Sequence, residues 1–155
     1  MRMGINDFSA NDFISNMDEN NLSRVFKIFG DERYSKKIAR EIVRIREFKT
    51  IKTEDLVQII DSVKKYQKTK IHNSTKIFQA LRILVNKEIS ELINALINSF
   101  HLIPIGGVIA VVTFHSIEDK IVKFFFKHYS EERNSSRYMP NEEVSEKCFK
   151  IINKK

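Results

Sequence analysis

Apolar side chains recur at the three- and four-residue spacing of an amphipathic helix through most of this chain. Capping residues and a glycine punctuate the pattern, which fixes where several of the helices begin and end. The predicted helices are a short turn at 10–16, a helix after the N-cap Asp18 closed by Gly30 as its C′ residue, a helix at 32–46, a helix capped by Thr53, and a long helix from about 74 or 75 to 99.

The pattern changes at residues 108–114, where seven consecutive side chains carry no charge and several are β-branched. Two glycines precede this run, and a polar turn with a further helical pattern follows it. The run therefore predicts a strand buried on both faces. One strand alone leaves its backbone groups unpaired, at about 1–3 kcal/mol for each buried group. The partner strands are expected from residues outside this chain or from another chain.

Composition and net charge indicate which class of partner the chain could bind. The 155 residues are 42% hydrophobic and 30% charged, which is ordinary for one globular domain. The formal net charge of +7 favours a polyanionic partner, although it also serves solubility. Cys148 is the only cysteine, which excludes an internal disulfide and a multi-cysteine zinc site. No secretory signal is recognisable and the longest apolar stretch is too short for a bilayer, so we expect a cytoplasmic protein with no membrane partner.

Four of the cations fall at steps of four, three and four residues, which puts them on one face of the helix predicted at 32–46. Like charges at this spacing repel, and a polyanion would neutralise them. A solvated helix face with acidic residues nearby is the alternative interpretation. These candidate RNA-contacting side chains are Arg33, Lys37, Arg40 and Arg44. A second basic stretch follows at 64–76 and is predicted to be a loop for phosphate contact or solvation.

The polar cluster at 115–119, after the predicted strand, is the one group of side chains whose position is typical of a catalytic or binding site. Its plainer interpretation is helix capping, with Ser116 as the N-cap and Glu118 and Asp119 in the first turn. The functional interpretation puts His115 or Ser116 at the edge of a substrate pocket, where the carboxyl end of a strand meets a helix. The sequence contains no glycine-rich nucleotide motif, no HExxH and no GxSxG.

Four ordered segments resemble the bacterial 16S ribosomal RNA cytosine-N4 methyltransferases, the RsmH or MraW family. FHSIEDKIVK at 114–123 is similar to the family's FHSLEDRIVK, and GDERYSKKIAR at 30–40 to GEERFAKRIAR. HNSTKIFQALRI at 72–83 is similar to HPATRTFQALRI, with Asn73 in place of proline and Lys76 in place of arginine. The lysine keeps the charge but not the bidentate fork of arginine. MRM at 1–3 resembles the end of the family's DMRM.

The resemblance implies an α/β fold: part of a Rossmann-like methyltransferase with an inserted helical domain, mostly helical here, with one buried strand. Residues 1–7 would be a remnant of the loop after strand four, 8–71 the inserted RNA-facing domain, 72–130 the returning part of the Rossmann-like domain, and 131–155 a mobile tail. The implied cofactor is S-adenosylmethionine and the implied partner is 16S rRNA in the small ribosomal subunit. The implied substrate-side residues are Phe114, His115, Ser116, Asp119, Arg82, Lys76, Gln79, Arg33, Lys37, Arg40 and Arg44.

In the family, the glycine-rich turn and the acidic ribose contact precede the DMRM segment, so no cofactor-binding residue is expected here and the chain alone is expected to be inactive. The missing N-terminal half of the enzyme, or a partner chain, would complete the sheet. Two alternatives remain: a basic helical RNA-binding module without catalysis, and an interaction protein that completes its sheet with a partner.

Overall fold

The structure is a computed structural model that describes residues 8–64, 72–130 and 148–152. Within these ranges the secondary structure consists of α-helices, and no strand is formed. The helices are α1 (Ala10–Asn16), α2 (Glu19–Gly30), α3 (Ser35–Arg46), α4 (Thr53–Lys64), α5 (Thr75–Asn86), α6 (Glu88–Leu102) and α7 (Ser116–Ser130). The chain consists of two compact units, Met1–Ile89 and Ser90–Lys155.

The first unit is built around α2, which packs against α5 and α3, while α3 also packs against α4. The stripes predicted from the sequence form its core, because the helical spacing puts those side chains on the faces where the helices meet. Fully or almost fully buried there are Leu22, Phe26, Ile38, Ile42, Leu56, Ile60, Ile77 and Leu81. The predicted amphipathic faces of α2 to α5 are confirmed.

Short polar side chains hold the first two helices at their N-termini, as the sequence predicts for Asp18. Ser9 and Asp12 form a capping box on α1, which bounds the predicted turn. Asp18 accepts a hydrogen bond from the backbone N–H of Asn21 at 3.0 Å. That bond, first among its causes, holds the pKa of the Asp18 carboxyl below its ordinary value of 3.8.

Three predicted helix ends are wrong in detail. Gly30 is the last residue of α2, and the left-handed position belongs to Asp31, with φ 46°. Residue 32 does not begin α3, which starts at Ser35. Thr53 is the first residue of α4, and the carboxylate of Asp55 accepts from the N–H of Lys52 instead. The backbone geometry around each end decides which neighbouring polar side chain reaches the free N–H groups.

The long helix predicted from about 74 to 99 is two helices. Lys87 adopts the left-handed conformation with φ 54° and separates α5 from α6. The stretch contains neither glycine nor proline, and Asn86 is the only residue next to the break of a type that often ends a helix. The side chain of Glu88 hydrogen-bonds to Asn86 and to Arg82, which occupies polar groups next to the break.

The second unit contains α7, most of α6 and the described residues 148–152. Aromatic rings join these three parts: Phe100 of α6 stacks on Tyr129 of α7 at 4.6 Å between ring centroids, and Phe149 contacts both. The backbone N–H groups of Cys148 and Phe149 donate to the carbonyl of Tyr129. A piece of the segment predicted to be a mobile tail is therefore packed against α7.

The buried strand predicted at 108–114 is not formed among the described residues. This segment has no secondary structure, and residues alternate between exposed and half-buried along it. Val108, Val112 and Phe114 are 69%, 79% and 91% exposed. Within the described residues no second strand is available to pair with this segment. A buried strand here would leave its backbone N–H and C=O groups without hydrogen bonds.

Several predictions fall on residues outside the described ranges. These are the remnant at 1–7, residues 65–71 of the basic loop, and most of the tail. The domain boundary at residue 71 stays a prediction. In this structure α5 packs against α2 and α1 and belongs to the same compact unit as α1–α4. A search of the described residues finds no helix that is both long and apolar enough to cross a membrane.

Candidate nucleic-acid interface

The four cations predicted to contact RNA are all exposed, but they differ in their ion pairing. The Nε of Arg40 lies 3.4 Å from a carboxylate oxygen of Glu19 on α2, and Arg44 pairs with Glu41 at 2.6 Å on its own helix. Lys37 on α3 and Arg33 in the turn before it have no ion pair with any described residue. The positive charge available to a polyanion is therefore concentrated at the N-terminal end of the predicted stripe.

The segments at 30–40 and 72–83 meet where α2 ends against α5. Gly30 lies so close to α5 that a Cβ on it would be 2.5 Å from the carbonyl oxygen of Lys76. Lys76 in turn donates through Nζ to the carbonyl of Asp31 at 2.9 Å, and Gln79 donates to the carbonyl of Phe29 at 3.2 Å. Two predicted RNA contacts, Lys76 and Gln79, thus satisfy carbonyl groups at the C-terminus of α2.

A buried ion pair holds the turn between α2 and α3. The carboxylate of Glu32 is 2% exposed, accepts from Lys64 Nζ at 2.8 Å and accepts from the N–H of Tyr34 at 2.9 Å. Lys64 also donates to the carbonyl of Asn73 at 2.7 Å. One carboxylate and one ammonium group therefore connect the end of α4 to the turn before α3 and to the residues that lead into α5.

Arg82, a further predicted RNA contact, is paired within the first unit. Its Nε lies 2.9 Å from one carboxylate oxygen of Glu88 and its guanidinium donates to the other at 3.1 Å. This fork-like geometry is the strong form of an arginine–carboxylate pair. Arg82 is half-exposed, so its contact with a nucleic acid would compete with Glu88.

The turn before α7 is a cap made by the histidine and not by the predicted Ser116. His115 Nδ1 accepts from the N–H of Glu118 at 3.3 Å, and the carboxylate of Glu118 reaches back to the N–H of Phe114 at 2.9 Å. The first helical hydrogen bond runs from Asp119 to the carbonyl of His115. Ser116 is exposed at the first helical position. His115 and Glu118, two members of the cluster in which chemistry is expected, therefore serve largely to cap the helix.

Two further groups in this turn are open to solvent. Phe114 is 91% exposed. Asp119 pairs with Lys123 one helical turn away at 2.8 Å, and the two side chains are 44% and 66% exposed. His115 Nε2 is buried and lies 3.3 Å from a carboxylate oxygen of Glu118, without forming a hydrogen bond. The turn therefore presents one aromatic ring, one hydroxyl and one carboxylate at its surface.

The described glycines Gly30, Gly106 and Gly107 do not form a nucleotide-binding turn. A nucleotide-binding glycine turn leaves room for the ligand where a side chain would be. At Gly30 that room is filled by the Lys76 carbonyl, and at Gly107 it is filled by the side chain of Ile103. Gly106 has open space and φ 86°, but it lies in an exposed turn that leads into residues 107–114 and not into a helix.

Sequence reasoning missed two cations on α2, Arg24 and Lys27, which line a pocket together with Arg33 and Lys37. A signal for them was present. Ile28 lies on the polar side of the stripe formed by Leu22 and Phe26, and it is 55% exposed. Arg24 and Lys27 are also three residues apart, a spacing that puts both side chains on one face of the helix.

The first unit is helical and carries exposed cations, and the second unit contains an apolar segment without secondary structure. Comparison with known proteins identifies the family of the chain. The sequence profile of the MraW methylase family matches residues 1–155, and the chain belongs to this family.

Curated relatives named ribosomal RNA small subunit methyltransferase H match along almost the whole chain. The proteins from Afipia carboxidovorans, Xanthobacter autotrophicus and Azorhizobium caulinodans are 43%, 39% and 41% identical to it. These matches cover 99–100% of this chain but only 45–47% of the relatives. The chain thus spans slightly less than half the length of the curated relatives that it matches.

Proposed function

We propose that these residues form the substrate side of an S-adenosylmethionine-dependent methyltransferase that methylates N4 of a cytidine in 16S rRNA. The observation that carries the proposal is the family match over residues 1–155, together with relatives named for methylation of small-subunit rRNA. The net charge of +7 and the unpaired cations before and at the start of α3 support an RNA substrate.

The methyl donor would be held by residues outside this chain. The sequence has four glycines, and the two that follow one another lie in an exposed turn. We therefore expect no methyl transfer by the isolated chain. The chemistry that S-adenosylmethionine supplies is an electrophilic methyl group, and the role assigned to this chain's own side chains is to bind and orient the RNA.

Residues 108–114 would become a strand when that other half is present. Exposure already alternates from residue to residue along the segment, and Val108 and Val112 are among the exposed ones. Strand pairing on its free edges would satisfy its backbone groups and cover these side chains. The occupant that we propose is the remaining half of the same enzyme, since the chain matches under half of each relative.

Three measurements on the purified chain test this proposal. We expect salt-dependent binding of single-stranded RNA, no heat on titration with S-adenosylmethionine, and no transfer of a labelled methyl group to small ribosomal subunits. Methyl transfer by the chain alone would contradict the assignment of the donor side. Absence of RNA binding would contradict the assignment of the substrate side.

A basic RNA-binding module without catalysis is the second candidate, and the unpaired cations favour it equally. The two are separated by adding the donor half of a relative such as that from Afipia carboxidovorans. Binding of S-adenosylmethionine by the mixture at a level absent from either part supports the enzyme. A partner-completed interaction protein predicts instead a stable homodimer with strand content, measured by sedimentation and circular dichroism.

A further inference from the structure

A pocket of about 460 Å³ lies between α2 and the beginning of α3. Its size falls within the roughly 300–1,000 Å³ typical of sites for small ligands, and it is much larger than a lone inorganic anion needs. Five cations line it and no carboxylate does. These are Arg24, Lys27, Arg33, Lys36 and Lys37.

None of the five cations forms an ion pair with another described residue. This contrasts with the far end of α3, where Arg40 and Arg44 each have a carboxylate partner. A protein that concentrates unpaired like charges on one surface loses free energy through their repulsion. An anion bound in the pocket would remove that repulsion.

Two serine hydroxyls add hydrogen-bond donors to the same pocket. Ser23 and Ser35 line it, and they are 8% and 5% exposed. Neither hydroxyl has a hydrogen-bond partner in the part of the chain that the structure describes. Neither oxygen is among the buried polar atoms without a partner in the described residues, so solvent reaches both hydroxyls. Phosphate oxygens accept hydrogen bonds from such groups. Cations together with free hydroxyl donors are the groups that bind a sugar–phosphate backbone.

The pocket is built on a fixed support. Tyr34 lies on its wall, is partly buried against the core, and donates its backbone N–H to Glu32, which Lys64 holds in place. Arg33 precedes it and Ser35 follows it, so the buried ion pair fixes a backbone position between two further residues of the pocket. Such support reduces the entropy that binding would otherwise cost.

We propose that this pocket binds the phosphodiester backbone of single-stranded RNA, with Arg33 and Lys37 as its central contacts. The inference rests on the proposed function and deepens it, because it assigns the RNA contact to α2 and the start of α3. The paired Arg40 and Arg44 are excluded from the contact.

The test compares two double variants of the full chain that remove the same charge from neighbouring surfaces. Arg33→Gln/Lys37→Gln changes the pocket, and Arg40→Gln/Arg44→Gln is the matched control. Each is titrated into a labelled single-stranded RNA at several salt concentrations, with anisotropy as the readout. Circular dichroism verifies that both are folded, which is expected because all four side chains are exposed.

Loss of two phosphate contacts should reduce the slope of log affinity against log salt by about 1.4, since each contact to a single strand contributes about 0.7. The control variant should keep the wild-type slope. In Ser35→Ala, which removes a hydroxyl but no charge, affinity should fall a few-fold while the slope stays unchanged.

The outcomes separate this inference from the proposed function. An equal or larger loss of slope in the control variant, with wild-type RNA binding intact, would overturn the pocket alone. A wild-type chain that binds no RNA would overturn both. Equal competition by poly-glutamate, or by inorganic phosphate at the same concentration of phosphate groups, would also overturn the assignment to an RNA backbone.

Discussion

The buried pair between Glu32 and Lys64 provides the sharpest test of the fold. In Lys64→Met the ammonium group is replaced by an apolar side chain of similar length. The Glu32 carboxylate, 2% exposed, would keep only the N–H of Tyr34 at 2.9 Å, and the Asn73 carbonyl would lose its donor at 2.7 Å. Lys64 is itself only 11% exposed, so water replaces it poorly.

The expected cost follows from the burial of both groups. Removing one partner of a buried ion pair typically destabilises a protein by about 3–5 kcal/mol, because the remaining charge is left without its partner. For a chain of this size, that corresponds to a fall of roughly 6–20 °C in Tm. Adding Glu32→Gln to Lys64→Met removes the stranded charge and keeps an acceptor for Tyr34. The double variant should therefore recover much of the loss.

Lys49→Met is the matched control. Lys49 pairs with Asp55 in the same unit, but it is 55% exposed, and an exposed pair contributes at most about 1 kcal/mol. Thermal unfolding of the four proteins is followed by circular dichroism in the helical band. If Lys64→Met costs no more than Lys49→Met, or if the double variant is less stable than Lys64→Met, the carboxylate does not have the buried, charge-paired surroundings described here.

Three further predictions concern helix ends. Gly30→Ala should destabilise the chain by about 1–3 kcal/mol in chemical denaturation, because the new Cβ meets the backbone of Lys76, which cannot yield as a flexible side chain would. Asp18→Ala should lower Tm at neutral pH, and the difference from wild type should shrink as the pH falls below 3.8, because a carboxyl with a lowered pKa stabilises the fold only while it is ionised. A difference that persists at low pH would contradict this. His115→Ala should lose about 0.5–2 kcal/mol through the cap of α7, whereas His115→Asn should retain most of it, as measured by urea unfolding.

The helices of the first unit could be predicted because local patterns decide them. The stripe with Ile38 and Ile42 and the cap Asp18 depend on neighbours within a few residues, and the structure contains them. The resemblance to the MraW methylase family also followed from contiguous motifs and is confirmed by the match over residues 1–155.

What failed depends on partners that are distant or outside the chain. Residues 108–114 have the composition of a buried strand, but burial needs neighbouring strands, and none is present among the described residues. The break at Lys87 has no glycine or proline to announce it. The ion pair of Arg40 with Glu19 joins two helices, so the charge pattern along α3 alone could not show it, and the predicted RNA contact of Arg40 stays a prediction.

The two motif segments at 30–40 and 72–83 illustrate why a family motif does not by itself identify a contact with the substrate. In this fold the segments meet, and Gly30, Lys76 and Gln79 are occupied in closing α2 against α5. These residues close the space between α2 and α5 and supply donors to the carbonyl groups at the end of α2, whatever the protein binds. The cations without an ion-pair partner lie around the pocket of α2 and α3. Arg33, Lys36 and Lys37 belong to the segment at 30–40, and Arg24 and Lys27 lie outside it. The missing ion-pair partner, and not the motif alone, is therefore the criterion on which we propose the RNA contact.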